Sequence, residues 1–443
     1  MDKRNISFLK NVFLTFSTRS SLLFFGILIS VIIARSLGPE GKGVYNLAIL
    51  FLSMVIVLTE FGVAPSTVYH SCKKEITPRN AFGISIILSL IIGLVSLLAS
   101  LVVIYYFGEI LFPGVSSKYL YLGAISIPLI SFFNYTNSVY LGVKNFQKNN
   151  LLKIMEYFFL LLILVTAFFV AGINIKIAIL SYALAYLLSN LIMAFMLLRD
   201  FGAPDFRINL SIIKKYYNYG GKYYLTNLIS FIHLRADAFM INIFLNPASV
   251  GIYSIAAGLA EKVWLIPKSV GDVLFPEIAS ENNEKRIKSF TPVVTRNLML
   301  ISVFASLIIG LVGYWAIVIL YTDDFIGAVV PFYFLLIGTT FMAGSRTITN
   351  DLAGRGKMKE HLITNIFSIF INIIANLIFI PALGIKGAAI GTSISYTLTF
   401  FLRARIYCKV SGNKMRDLIL PKKSDYKNII MFISKKRKSR GLK

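Results

Sequence analysis

Acidic residues are scarce in this chain of 443 residues: 20 Asp and Glu stand against 45 Lys and Arg, a formal net charge of +25. Charge of either sign is thin, 15% of residues, where a soluble globular chain carries about 25%. Two cysteines, Cys72 and Cys408, cannot build a disulfide framework or a four-ligand zinc site. Three histidines, His70, His233 and His361, have no HExxH or CxxC partners. No glycine-rich phosphate loop is present, because Gly354-Arg355-Gly356-Lys357 lacks the spacing and follows an apolar run rather than a strand. These absences set aside metal-dependent and nucleophilic enzymes, and any cytosolic domain that would bind ATP. What fills the chain instead is apolar: 56% of residues are hydrophobic and the mean hydropathy is +0.74. A soluble enzyme is excluded first.

The apolar residues fall in stretches at about 12–34, 44–70, 81–107, 119–142, 151–171, 177–198, 220–245, 250–276, 292–320, 328–352, 361–381 and 387–409. Each matches the roughly 20 residues that cross a bilayer, and all are too long for barrel strands. Lipid offers backbone groups no partner, so they are expected to be helices. The first is read as an uncleaved span, being longer than a signal-peptide core.

Basic residues crowd the even-numbered connections (Lys73, Lys74 and Arg79 in the first, Lys285, Arg286 and Lys288 in the fourth) and both ends. The odd-numbered connections hold only Arg35, Lys42, Lys118, Lys176 and Lys386. Positive charge marks the cytoplasmic side, which places both termini there. The basic excess is thereby assigned to topology and anionic lipid rather than to nucleic acid.

The chain also repeats. Leu37, Pro39, Gly43, Val44, Tyr45, Leu47 and Ala48 align with Leu245, Pro247, Gly251, Ile252, Tyr253, Ile255 and Ala256. Six spans per half make the repeat parallel, its pseudo-two-fold axis along the membrane normal. The expected fold is an all-α membrane protein of 12 transmembrane helices in two six-helix lobes around a central cationic cavity. The expected units are an N-terminal lobe (1–205), a C-terminal lobe (206–410) and a basic cytoplasmic tail (411–443).

Five basic residues remain inside the spans: Arg19, Arg235, Lys262, Lys268 and Arg346. Ionisable groups there face a bundle interior or a watery cavity. Asn46, Ser53, Glu60 and Thr67 recur every seven residues and share one helical face, as do Ser254, Glu261 and Lys268, with Asp272 nearby. Thr226, Ser230, His233 and Asp237 share a third face, with Arg235 nearly opposite Asp237. Deep Arg and Lys suit an anion, and the Arg fork suits a phosphate. Arg19, Arg235, Lys268, Arg346 and, off the main stripe, Lys262 are therefore the expected substrate-binding cations. Glu60, Asp237, Glu261, Asp272 and His233 are the expected coupling or gating groups.

The segment Ala34-Arg35-Ser36-Leu37-Gly38-Pro39-Glu40-Gly41-Lys42-Gly43-Val44-Tyr45, supported by Gly384-Ile385-Lys386-Gly387-Ala388-Ala389-Ile390-Gly391-Thr392, resembles bacterial oligosaccharide flippases of the polysaccharide transport family. These belong to the multidrug/oligosaccharidyl-lipid/polysaccharide exporter superfamily. The resemblance implies an undecaprenyl-diphosphate-linked oligosaccharide as cargo, moved across the bacterial inner membrane by alternating access. It implies no enzymatic activity and no cofactor beyond a coupling proton or sodium ion, with membrane lipids and other polysaccharide assembly proteins as partners. The short apolar run 429–433 after the last span departs from the peptidoglycan-precursor branch, which has two further helices. Competing expectations are a drug or metabolite exporter of the same fold, a membrane polysaccharide polymerase or ligase, and an assembly scaffold.

Overall fold

The structure is a computed structural model, described here for residues 3–207, 210–271, 284–355, 357–420 and 422. Among these residues the regular secondary structure is helical throughout. The first half comprises α1 (Lys3–Thr59), α2 (Val63–Cys72), α3 (Pro78–Leu111), α4 (Ser117–Ala124), α5 (Ser126–Gly142), α6 (Phe146–Val170) and α7 (Ile175–Phe201). α8 (Leu210–Phe244) and α9 (Pro247–Ala260) follow, and α9 continues through a 3-10 turn, Glu261–Trp264, into helical residues 265–271. Then come α10 (Glu284–Tyr321), α11 (Val329–Gly354), α12 (Met358–Leu383), α13 (Ile385–Ser411) and the short α14 (Met415–Ile419).

Eight helices among the described residues are long and apolar enough to cross a membrane. The first of these, Ser17–Thr59, counts once although it is two arms. Gly38 has φ 66° and ψ −175°, and the following Pro39 bars its predecessor from helical geometry. The chain turns back there. Lys42 Nζ lies 3.0 Å from Ser30 Oγ, whereas a straight helix would separate the two residues by about 18 Å. The other expected spans outside the eight are also helical: α4 and α5, interrupted at Ile125, and the more polar α8 and α13. The interruption has a covalent cause, since Pro128 has no N–H to donate to Ala124.

Polarity is inverted relative to a soluble protein. α3 exposes Leu94, Val95, Leu98 and Val102 while burying Ser85, Ser89, Ser96 and Ser100. α10 exposes Phe304, Leu307, Leu311 and Trp315. Apolar belts of this extent suit hydrocarbon, not water, and the chain is a multi-pass membrane protein. The small inward-facing residues let backbones approach, as where Gly93 packs on Pro128.

α3, α5, α6 and α7 pack chiefly among themselves and with α1, while α10 to α13 pack chiefly with one another and with α8 and α9. The main contacts joining the two sets are α1 with α9, α2 with α8 and α1 with α8. The first of these unites the sequence repeat. A Cβ on Gly43 would overlap the Pro247 carbonyl oxygen, and a Cβ on Gly251 would overlap that of Pro39. The proline and glycine of each copy thus meet the glycine and proline of the other. Asn46 Nδ2 donates to Ser254 Oγ at 2.6 Å, joining another pair of repeat-equivalent positions. Gly43→Ala or Gly251→Ala is expected to cost about 1–3 kcal/mol by overpacking, read as a lower thermal unfolding midpoint in detergent. An unchanged midpoint in both variants would contradict the close approach.

Candidate functional site

Between these contacts and the α2–α8 contact lies a cavity of about 590 Å³. Both arms of α1 contribute to its wall, with α6, α7, α8, α9 and Glu261. Tyr45, Tyr157, Tyr182, Tyr186 and Tyr253 line it beside Asn46, Ser30, Ser53 and Ser254. Its charged lining is mixed: Lys42 and Arg235 face Glu156, Asp237 and Glu261. Arg235 Nη1 lies 3.8 Å from Glu261 Oε1, with half of the arginine side chain exposed. Asp237 is buried and accepts hydrogen bonds from Tyr253 Oη at 2.6 Å and the Ala238 N–H at 2.8 Å. Tyr186 hydrogen-bonds Glu156. Aromatic faces interleaved with hydroxyl, amide and carboxylate groups match a polyhydroxylated ligand, which offers apolar C–H faces and many hydrogen-bonding groups.

A second pocket, about 200 Å³, lies on the other side of Leu234, which lines both. Here the cations gather: Lys268, Arg346 and Arg403 line it with His233 and Asn365. The expected single cationic cavity is thus corrected to a large mixed-charge cavity and a small cationic one. The cause is local. Pro267 has no N–H for Val263 and displaces its carbonyl, and residues 261–264 tighten into a 3-10 turn. Each 3-10 residue turns about 20° further than an α-helical one, so four of them rotate Lys268 well off the Glu261 face.

The other heptad stripe is broken as well. α1 ends at Thr59, and Phe61 and Gly62 take positive φ of 44° and 73°. Pro65 cannot donate to Phe61, so the helix cannot run through. Glu60 lies in this break, and Thr67 falls on α2, where it bonds the Val63 carbonyl. Of that stripe only Asn46 and Ser53 reach the large cavity. Arg19, Lys262 and Glu60 line neither cavity, and Asp272 lies outside the described residues. Arg19 is within electrostatic reach of Lys268. The expectation that Arg235 and Asp237 need separate partners is met by Glu261 and Tyr253.

Three charged residues escaped the sequence reading. Lys42 was counted as a connection residue, yet it is 4% exposed and lines the large cavity. Glu156 was passed over in a search for cations. Arg403 was grouped with the basic C-terminal end, yet it is buried on α13. Its signal was available: Ser395, Thr399 and Arg403 recur every four residues, a polar stripe within a span.

The α2–α8 contact closes the opposite end. Gly62 and Gly220 are in backbone contact, Ser66 Oγ donates to the Tyr216 carbonyl at 2.8 Å, and the Tyr69 and Tyr219 rings stack at 4.0 Å. His70 stacks on Tyr216, its Nδ1 3.0 Å from Glu75 Oε2, and Lys215 Nζ reaches the same oxygen at 3.3 Å.

Residues 32–330 match the family described as "Polysaccharide biosynthesis protein". A putative O-antigen transporter of Shigella flexneri is 24% identical over 399 residues, covering 85% of this chain and 92% of that protein. Among solved structures, the lipid II flippase MurJ in an inward closed conformation aligns with TM-score 0.72 at 17% identity, over 93% of this chain and 89% of its own. An inward-facing multidrug resistance MATE family transporter of the MOP superfamily aligns with TM-score 0.73 at 15% identity, over 88% and 94%. These structural likenesses fix the fold.

Hydrogen bonds from His70 and then Lys215 hold the Glu75 carboxyl below the usual carboxylate range. A depressed carboxylate contributes stability above its unfolded value, about pH 4.3, that is lost as pH falls through the lower folded value. The unfolding midpoint is therefore expected to drop more steeply below about pH 4.3 in the native protein than in Glu75→Gln. Parallel pH curves would show that these contacts add nothing.

Proposed function

We propose that this chain, which belongs to the polysaccharide biosynthesis protein family, is a non-enzymatic transporter that flips an undecaprenyl-diphosphate-linked oligosaccharide from the cytoplasmic to the outer leaflet. The product feeds a surface polysaccharide such as O-antigen, capsule or exopolysaccharide. The large cavity carries the reading: tyrosine rings and carboxylates receive the saccharide, and its wall is shared between the two packed sets of helices. The name of the Shigella flexneri relative, which matches across most of both chains, supports the same substrate class.

In this reading the two sets are six-helix lobes, residues 1–205 and 206–410, with a basic tail at 411–443. The pseudo-two-fold axis runs between Gly43 and Gly251. Basic connections and both termini face the cytoplasm of a bacterial inner membrane, which sets the α2–α8 contact as the inner gate and the Gly43–Gly251 contact as the outer one. Alternating access opens one and keeps the other shut. A proton or sodium gradient drives the cycle, acting through the carboxylates Glu60, Asp237, Glu261 and Asp272 with His233. Arg235 alternates between Glu261 and cargo, and Arg19 and Lys262 add positive potential from outside the cavity walls.

A second reading, export of a cationic small molecule by the same fold, is favoured by one observation. Glu156, Asp237 and Glu261 outnumber Lys42 and Arg235 on the cavity wall. Proteoliposomes separate the two. The flippase reading expects leaflet transfer of a lipid-linked oligosaccharide, accelerated by an imposed ion gradient and slowed about tenfold or more by Arg235→Gln. Transfer of an organic cation with no movement of the lipid would install the second reading instead.

A further inference from the structure

We propose, resting on the flippase reading, that Glu156 and the tyrosines around it form a subsite for the ammonium group of an amino sugar in the cargo. Glu156 and Tyr157 lie on α6, Tyr182 and Tyr186 one turn apart on α7, and Tyr45 on the second arm of α1; all of them line the large cavity. These three helices pack against one another within the first half of the chain. Tyr186 hydrogen-bonds Glu156, and Tyr45, Tyr157 and Tyr182 are within electrostatic reach of the carboxyl. The Tyr182 and Tyr186 rings meet edge to face, with centroids 5.1 Å apart and planes at 69°. They stand as two walls of a box rather than as a closed stack.

The other charges on the cavity wall are held by groups already described. Arg235 Nη1 is 3.8 Å from Glu261 Oε1, Asp237 accepts from Tyr253 and from the Ala238 N–H, and Lys42 Nζ is 3.0 Å from Ser30 Oγ. In its corner Glu156 is met by phenols, which are neutral. Lys153, one turn earlier on α6, is within electrostatic reach of Glu156 but does not line the cavity. A carboxylate drawn away from water is costly unless a cation with hydrogens to donate meets it.

An ammonium group fits this corner. It has three N–H donors and no acceptor, and the faces of tyrosine rings attract it. The phenols also donate and accept, so they serve the hydroxyls of the same sugar, and their rings serve its C–H faces. An acidic sugar meets the opposite: its carboxylate would face that of Glu156 and the negative faces of the rings. The diphosphate makes a lipid-linked cargo anionic at one end, so a saccharide without a cation gains nothing from Glu156. One amine reverses that balance.

The test is calorimetric titration of the purified full chain in nanodiscs with simple glycosides, at about pH 6.5, where a sugar amine carries its proton. Methyl glucosaminide is expected to bind about tenfold or more tightly than methyl N-acetylglucosaminide, whose nitrogen is a neutral amide, and than methyl glucuronide. Glu156→Gln is expected to abolish that preference while still binding the neutral glycoside, which shows that it folds. Glu156→Asp keeps the charge and is expected to keep a preference. Tyr182→Phe retains the ring and the preference, and Tyr182→Leu lowers the preference severalfold. Lys153→Gln removes a competing positive charge and is expected to raise it. Equal binding of amine and amide by the native chain, binding of neither, or an undiminished preference in Glu156→Gln would overturn the subsite. Tetramethylammonium, a cation without hydroxyls, is expected to compete at least about tenfold more weakly than the glucosaminide; equal competition overturns the sugar assignment. Transfer of a lipid-linked oligosaccharide at a rate unchanged by N-acetylating its amino sugar removes the subsite and leaves the flippase reading. An amine preference without any transfer of lipid sinks the flippase reading and leaves Glu156 as an ammonium site.

Discussion

The close backbone approach of Gly43 to Pro247 and of Gly251 to Pro39 is the contact on which the rest of the arrangement depends. It fixes α1 against α9 at one end, and both of these helices wall the large cavity. In lipid two helices gain nothing from hiding apolar surface from each other, so packing and hydrogen bonding must supply the attraction. Glycine is the residue that lets them come close enough. From Gly43 to the end of the arm at Thr59 the helix spans about 24 Å, and beyond it Gly62 meets Gly220 in a second glycine contact. The cavity occupies the space between two such contacts.

The same solvent sets where charge can go. Most lysines and arginines lie at helix ends, where water is within reach. Those that lie deeper have been given partners of graded strength. Arg235 has a loose carboxylate at 3.8 Å, Arg346 and Lys268 share an indole, and Arg403 has three neutral oxygens. Among the described residues, carboxylates line the large cavity and cations the small one, which gives two neighbouring environments of unlike chemistry.

Much of the fold was legible along the chain. Long apolar stretches predicted helices, and each lies largely on helix over its described residues. The repeated Leu-x-Pro-x-x-x-Gly pattern marked two segments that prove to touch. Heptad spacing was a poorer guide to the site, because it assumes an unbroken α-helix. Pro65 ends that assumption for Glu60 and Thr67, and Pro267 ends it for Lys268. Both prolines were visible, but the turn each produces depends on how far the backbone yields to neighbours. Counting cations by connection also misplaced Lys42 and Arg403, since burial of a long side chain depends on what packs over it.

Sequence alone determined the solvent of this protein, the helical form of its backbone and the internal duplication, because hydropathy and repetition are linear properties that act within a segment. Tertiary structure alone decided that Glu156 and Lys42 share a wall with Arg235, and that Arg403 lines one small pocket with Lys268 and Arg346. Those groups lie on different helices, and whether their charges meet is set by kinks, 3-10 turns and glycine contacts that rotate each helix about its axis. A turn of a few tens of degrees moves a side chain from one cavity to the next, and no linear pattern encodes that angle.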